Sequence, residues 1–342
     1  MGKTNIKNIK KIGVIVGNPG LGDLLFSYPL FSNIRKNFTD AEVYFIGNLR
    51  DYTKSLVLRS KNIDDIIYYE EYKVQKIPDD LLYFFLNYRK EKFDLVFDLQ
   101  RHFLITSLTR FSGVKIFQSF SMKQVFSTFK ADDTLRRKEH NALHHMRLLE
   151  PLNIKPELIC EMDLFEIDFK RPKSFLKDKN IDNFVAIVAS SGYELKNWSG
   201  ENYVQIIDFL YENFGYKSVL IGSKQDSTAL TKIINATKNA ILMPDDFQIE
   251  ETAALLRLAE AAVGNDSGPL HLASFQDIPV IGLYGSTNPN LCGPLGKKST
   301  VLRTNVSCAP CSLYSCPYNK KCIDSISVDD VKGAISKILK LK

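Results

Sequence analysis

Hydrophobic positions along this chain change their period again and again. Short apolar β-like runs, KIGVIVG (11–17), AEVYFIG (41–47) and FDLVFDLQ (93–100), alternate with the helical patterns LLFSYPLFSNIRKNF (24–38) and DDLLYFFLNYRKEK (79–92). A basic segment of helical appearance follows. Such alternation predicts parallel strands joined by helical crossovers. At 166–183, EIDFKRPKSFLKDKNIDN loses periodicity, gains charge and carries Pro172, which marks a linker. The rhythm then restarts with FVAIVASS, ENYVQIIDFLYENF, KSVLIGS, DSTALTKIINAT, AILM, IEETAALLRLAEAA, GPLHLASF and PVIGLYGS. The last stretch, SVDDVKGAISKILKLK, places apolar residues at 328, 331, 335, 338 and 339, one face of a closing helix. The expected organisation is a first α/β domain over 1–168, a second over 178–326 and a helix over 327–342 packing back on the body, with a cleft between the two domains.

Length and composition agree with this picture. The 342 residues suit two domains of roughly 150 residues each. Hydrophobic residues at 44% and charged residues at 25% are the balance of a globular protein, neither disordered nor membrane-embedded. The longest apolar runs, such as FVAIVA, fall far short of the roughly 20 residues of a membrane helix. A basic start leads into an apolar stretch, as in a signal peptide, but Ile12–Val16 is too short and runs into Gly, Asn, Pro and Asp. A first strand and a cytoplasmic protein are the expectation. The net charge of +6 is unevenly placed: residues 101–147 hold nine Lys/Arg against three acids, with four of the five histidines. That segment is either a solvated basic face or a surface for an anionic partner.

Three loops carry candidate chemistry. VGNDSGPLHLAS (263–274) ends a strand and opens a helix: Asp266 or Ser267 can cap it, Pro269 suits its first turn, and Gly268 leaves room for a ligand. Helix starts favour anions, and in open α/β sheets ligands sit beyond the carboxyl ends of strands. ASSGYELKNWSGENY (189–203) supplies Ser190, Ser191, Lys196 and the single Trp198. Lys196 reads either as a surface lysine or as a mobile point charge for a phosphate. GNPGLGDLLFSYP (17–29) does not fit G-x-G-x-x-G, which argues against a dinucleotide site. Its Asp23 either caps a helix or is a carboxylate aimed into the cleft, able to take a proton from a hydroxyl.

Together these stretches resemble glycosyltransferase family 9, the bacterial heptosyltransferases of the lipopolysaccharide inner core. The likeness extends through FDLVFDLQRHFLITSLTRFSGVK, HHMRLLEPLNI, KNWSGENYVQII, VGNDSGPLHLASFQDIPVIGLYGSTNP and CAPCSLYSCPYNKKC. It implies a fold of the GT-B type: two facing Rossmann-like domains with parallel sheets, acceptor site in the first, nucleotide-sugar site in the second. It implies an inverting, metal-independent transfer of a heptose from ADP-heptose to the Kdo/heptose inner core. The absence of any D-x-D agrees with metal independence. By the same resemblance Asp23 is the general base, and Lys196 meets the donor phosphate as part of the catalytic apparatus. Ser191, Asp226, Asp266, Ser267, Gly268 and His271 complete the donor site. Asp266 would hold sugar hydroxyls, and Asp226 would lie near the ribose. Arg101, Arg110, Arg136, Arg137 and Lys138 are the expected contacts to an anionic acceptor. Surface Lys/Arg would help peripheral attachment to the inner face of the inner membrane. Relatives carry a basic residue near Gly17 where this chain has GNPG, which bears on acceptor identity.

Four of the six cysteines, Cys308, Cys311, Cys316 and Cys322, follow C-x2-C-x4-C-x5-C. This spacing suits either a structural zinc or reduced thiols packing a loop. Cys160 and Cys292 read as ordinary buried thiols. No other cofactor is expected. The competing readings are a transferase of the same family using another nucleotide sugar, a nucleotide-sugar epimerase on the same fold, and a binding module that kept the clamp without catalysis. A nucleic-acid partner is not expected, because the basic segment carries no recognition motif.

Overall fold

The computed structural model describes residues 8–68, 88–100, 102–120, 124–160, 168–222, 227–313 and 315–339. The chain divides into two compact units, Met1–Phe165 and Glu166–Lys342. In the first, β1 (Lys11–Gly17), β2 (Glu42–Gly47), β3 (Asp65–Ile67), β4 (Leu95–Asp98) and β5 (Ile116–Ser119) form a parallel sheet in the order β3-β2-β1-β4-β5. In the second, β6 (Phe184–Val188), β7 (Lys217–Leu220), β8 (Ala240–Leu242), β9 (Ala261–Asn265), β10 (Val280–Leu283) and β11 (Ser299–Leu302) form a parallel sheet in the order β11-β10-β9-β6-β7-β8. Every pairing in both sheets is parallel.

The central strands are apolar throughout because helices cover both faces of a parallel sheet. All five residues of β6 and all five of β9 are buried. In the first unit Ile15, Ile46, Val96 and Phe117 of the strands pack with Ile105 of α3 (Phe103–Phe111). α1 (Leu21–Asn37) is buried from Leu24 to Ile34 and holds Pro29 in its interior. An interior proline costs about 3 kcal/mol. Full burial of Leu24, Leu25, Leu30, Phe31 and Ile34, at roughly 1.5–3 kcal/mol each, outweighs it.

The second core joins Val185, Ile187, Val263, Ile281 and Leu283 to Ile206, Ile207 and Leu210 of α6 (Gly200–Phe214). α6 stops where Gly215 takes a left-handed conformation, φ 69°, as a glycine past a helix end commonly does. The last helix of the described chain, Val328–Leu339, places Val331, Ile335 and Leu339 in the same core.

Two elements depart from the pattern reading. The stretch 166–183, expected as linker, contains α5 (Lys170–Asp178), which buries Pro172 and Leu176 and belongs to the second unit. Its Arg171 pairs with Asp246 at 2.5 Å and Glu251 at 2.9 Å. The basic segment is not one helical run: it comprises α3, strand β5, a turn at 134–138 and the short α4 (Asn141–Met146). The reason is the apolar run Ile116–Ser119, which closes the sheet edge beside β4. The helix expected over 79–92 lies largely outside the described residues.

Candidate active site

In the second unit the polar groups gather at the carboxyl end of β9. Its last residue, Asn265, is fully buried. The amide oxygen of Asn265 accepts from the Trp198 backbone N–H at 3.1 Å and from the Tyr203 hydroxyl at 2.8 Å. The amide nitrogen donates to the Ala189 carbonyl at 2.8 Å and to Asn197 Oδ1 at 3.3 Å. One side chain thereby pins both ends of the loop that carries Lys196. Trp198 completes the anchor by donating its indole N–H to the Ile326 carbonyl at 3.0 Å.

Asp266 follows, buried and surrounded by donors. Lys196 Nζ lies 2.7 Å from its Oδ2, Thr287 Oγ1 donates to the same oxygen at 2.7 Å, and His271 Nε2 lies 3.1 Å from Oδ1. Burial alone would push this carboxyl up. The His271 hydrogen bond, with the charges of His271 and Lys196, overrides burial and holds it well below the usual carboxylate range. The lysine is only partly covered, with 22% of its side chain exposed.

Ser267 is the N-cap residue of α9 (Gly268–Ser274) in extended conformation, but its side chain makes no capping bond. Its hydroxyl oxygen is buried with no hydrogen-bond partner among the described residues. Neither Ser267 nor Asp266, whose carboxylate turns to Lys196, Thr287 and His271, caps this helix through its side chain. Pro269 stands in the first turn, as expected. His271 is buried and orients Asp266. Ser191 is half-buried, and its hydroxyl donates to the Tyr193 carbonyl at 2.8 Å. Asp226 lies outside the described residues.

In the first unit Asp23 is exposed and stands within the first turn of α1, not in the loop before it. The N-cap is Gly20, and α1 has no side-chain cap, so Asp23 is not the capping residue. Its carboxylate complements the helix dipole. A Cβ built on Gly20 would lie 3.8 Å from Asp23 Oδ2, in ordinary contact. The preceding loop is set by close backbone approach. Gly17 has φ +83°, with the Gln100 carboxamide lying where its side chain would be, and a Cβ on Gly47 would meet the Gly17 carbonyl oxygen at 2.2 Å.

Arg110, at the end of α3, is exposed, as are Arg136, Arg137 and Lys138 on the 134–138 turn. Acids of the segment are engaged beneath: Glu139 accepts from Arg147 Nε at 2.5 Å and Nη2 at 2.9 Å, and His144 lies 3.1 Å from Asp133 and 3.2 Å from Glu139. Arg101 lies outside the described residues.

The four clustered cysteines form no disulfide and line one cavity of about 30 Å³, together with Leu195 and Ser286. Burial pushes the Cys322 thiol up. Among the described residues no group of three or more His, Cys, Asp or Glu side chains is gathered to hold a metal ion. Cys160 and Cys292 are half-buried. Among the described residues no helix is long and apolar enough to cross a membrane.

Asn265 and Thr287 were missed as functional residues. Both lie in stretches singled out in the sequence, and polarity at the carboxyl end of a strand was the available signal for Asn265.

Comparison with known proteins decides the family. The profile of Glycosyltransferase family 9 (heptosyltransferase) matches residues 84–322. The chain belongs to glycosyltransferase family 9. It is therefore a glycosyltransferase, with the two-domain parallel α/β architecture of the GT-B class. A curated family member, lipopolysaccharide heptosyltransferase 3 of Escherichia coli, is 25% identical over 282 residues, covering 78% of this chain and 81% of the relative. Among solved structures, a family 9 glycosyl transferase from Veillonella parvula superposes with a TM-score of 0.80 at 22% identity, covering 97% of this chain and 98% of the other. Escherichia coli ADP-heptose lipopolysaccharide heptosyltransferase II superposes with a TM-score of 0.74 at 18% identity, over 97% and 99% of the two chains.

Proposed function

We propose that this family 9 enzyme transfers a heptose from ADP-heptose to the Kdo/heptose inner core of lipopolysaccharide, with inversion and without a metal. The observation that carries the reading is the Lys196 ammonium held 2.7 Å from Asp266, beside the glycine-marked start of α9. It offers a positive charge, mobile but already positioned, for a departing diphosphate. Asp266 has two further donors, His271 and Thr287, so its charge stays compensated when Lys196 swings to a phosphate oxygen. The amide groups at the start of α9 and the unpartnered Ser267 hydroxyl supply additional donors.

In the proposed reaction Asp23 accepts the proton of the acceptor hydroxyl as its oxygen attacks the anomeric carbon. The bond from that carbon to the diphosphate oxygen breaks, and the electron pair leaves with the nucleotide. Lys196 and the α9 amides stabilise the charge that develops there. One base and one anion clamp suffice for inversion, because attack and departure take place on opposite faces of the sugar. The exposed Arg136, Arg137 and Lys138 are assigned to the anionic acceptor.

The deciding experiment is a thermal-shift panel of ADP, UDP, GDP and CDP, followed by transfer with the stabilising sugar nucleotide to a Kdo-bearing acceptor. Selective stabilisation by ADP and transfer of heptose are expected. Stabilisation by UDP or GDP keeps the reaction class and changes the sugar, and donor turnover with no acceptor present turns the reading toward an epimerase. Metal content of the purified protein, with and without chelator, tests the zinc expectation for Cys308, Cys311, Cys316 and Cys322.

A further inference from the structure

Helix α3 carries its apolar residues on the wrong side for a water-soluble surface. At 100° per residue, Ile105, Thr106 and Thr109 form the buried face. The opposite arc holds Phe103, Leu104 and Phe111, which are 53%, 40% and 70% exposed. A neighbouring turn extends the patch. Phe126 meets Phe111 edge to face, with ring centroids 6.0 Å apart, and next to it Val125 is 69% exposed.

The charged residues of the chain between Asp98 and Asp132 have one sign. Arg110 stands at the rim of the arc. Lys130 is brought beside the turn because Gln124 clasps Ala131 through two hydrogen bonds, at 2.8 and 2.7 Å. No aspartate or glutamate occurs anywhere between Asp98 and Asp132. Exposed aromatic and aliphatic side chains rimmed by cations, on a stretch of chain that carries no acid, suit a surface that offers both hydrocarbon and negative charge.

We infer that the outer face of α3 and the adjoining 124–126 turn form the surface by which this protein docks on an anionic lipid bilayer. Phe103, Leu104, Phe111 and Val125 enter the interfacial layer while Arg110 and Lys130 meet lipid phosphates. α3 follows the carboxyl end of β4, the strand beside β1, so the docking face adjoins the sheet edge from which the chain enters α1 and Asp23. An acceptor whose lipid part stays in the bilayer would be presented to that edge.

The test is sedimentation of the full chain with vesicles of phosphatidylcholine alone and with about a third phosphatidylglycerol. Such vesicles contain neither donor nor acceptor, so the result is independent of the transferase reading. Binding to the anionic vesicles only is expected, with protection of 103–111 from hydrogen exchange when vesicles are added. The double variant Phe103→Ser/Phe111→Ser should lower partitioning by roughly tenfold or more. Arg110→Glu or Lys130→Glu should lower it about fivefold or more each. All four side chains are solvent-exposed, and circular dichroism melting checks that each variant folds. Equal binding to both vesicle types, unchanged binding of the phenylalanine variant, or no binding by the parent chain would overturn the inference. So would a dimer in light scattering that Phe111→Ser dissociates while neither protein binds vesicles, since the face would then join two copies of this chain.

Discussion

The two units place their candidate carboxylates in opposite circumstances. Asp266 is buried, bonded by three side chains and held ionised. Asp23 is exposed on the first turn of a helix. The difference follows the two halves of the proposed reaction. Charge developing on a leaving diphosphate is best met by dipoles and cations already oriented, which demands a braced, mutually satisfied cluster. A base must approach a hydroxyl delivered by another molecule, and burying it beforehand would raise the cost of keeping it charged.

The sharpest way to break this contrast is at Asp23. Asp23→Asn should lower kcat by about 10²–10⁴-fold with the ADP thermal shift retained, as steady-state kinetics beside a nucleotide titration would reveal. Full turnover in that variant would remove the base from the first unit. At the other pole, Lys196→Met should cost about 10²–10³-fold in kcat/KM and weaken ADP binding as well. If ADP affinity were untouched, the ammonium would have no part in the donor seat.

Asn265 tests whether the second cluster is braced as a unit. Asn265→Ala strands the Trp198 amide, the Tyr203 hydroxyl and the Ala189 carbonyl, and should destabilise the protein by about 2–3 kcal/mol in chemical denaturation. Acid separates the two carboxylates in another way. The folded-state pKa of Asp266 lies below its unfolded value, so its contribution to stability is complete above about pH 4 and is lost as pH falls from there toward the folded value. Denaturation midpoints at pH 5 and pH 3 should therefore differ less in Asp266→Asn than in the parent chain. The smallest effect is expected at Arg136, Arg137 and Lys138. Alanine at all three should raise the acceptor KM several-fold, more at low salt than at high, with kcat kept.

Much of the architecture was legible because the apolar runs are short, and the period changes cleanly between strand and helix. Two errors show what obscured the rest. Asp23 was read into a loop because glycines at 17, 20 and 22 signal a turn, yet Gly20 itself caps the helix and the next residues already follow its winding. α5 was read as linker because its lysines dilute the pattern, although Pro172 and Leu176 are both buried. At the candidate donor site Lys196 and Asp266 were legible singly. Their pairing was not, since it depends on Asn265 holding one loop against another strand's end. Thr287 was illegible for the same reason: its value comes from whose carboxylate it reaches, across 21 positions of chain.

The crossing at Gly47 carries a consequence for the whole first unit. Two strand ends pass there at a separation that leaves no room for even a methyl group, and the next bend of the chain launches α1. The height at which the helix presents its carboxylate is thus levelled by a missing carbon atom on a different strand. Alanine at 47 would lift that end of β1 and tilt the helix, disarming the enzyme without altering any group that takes part in its chemistry.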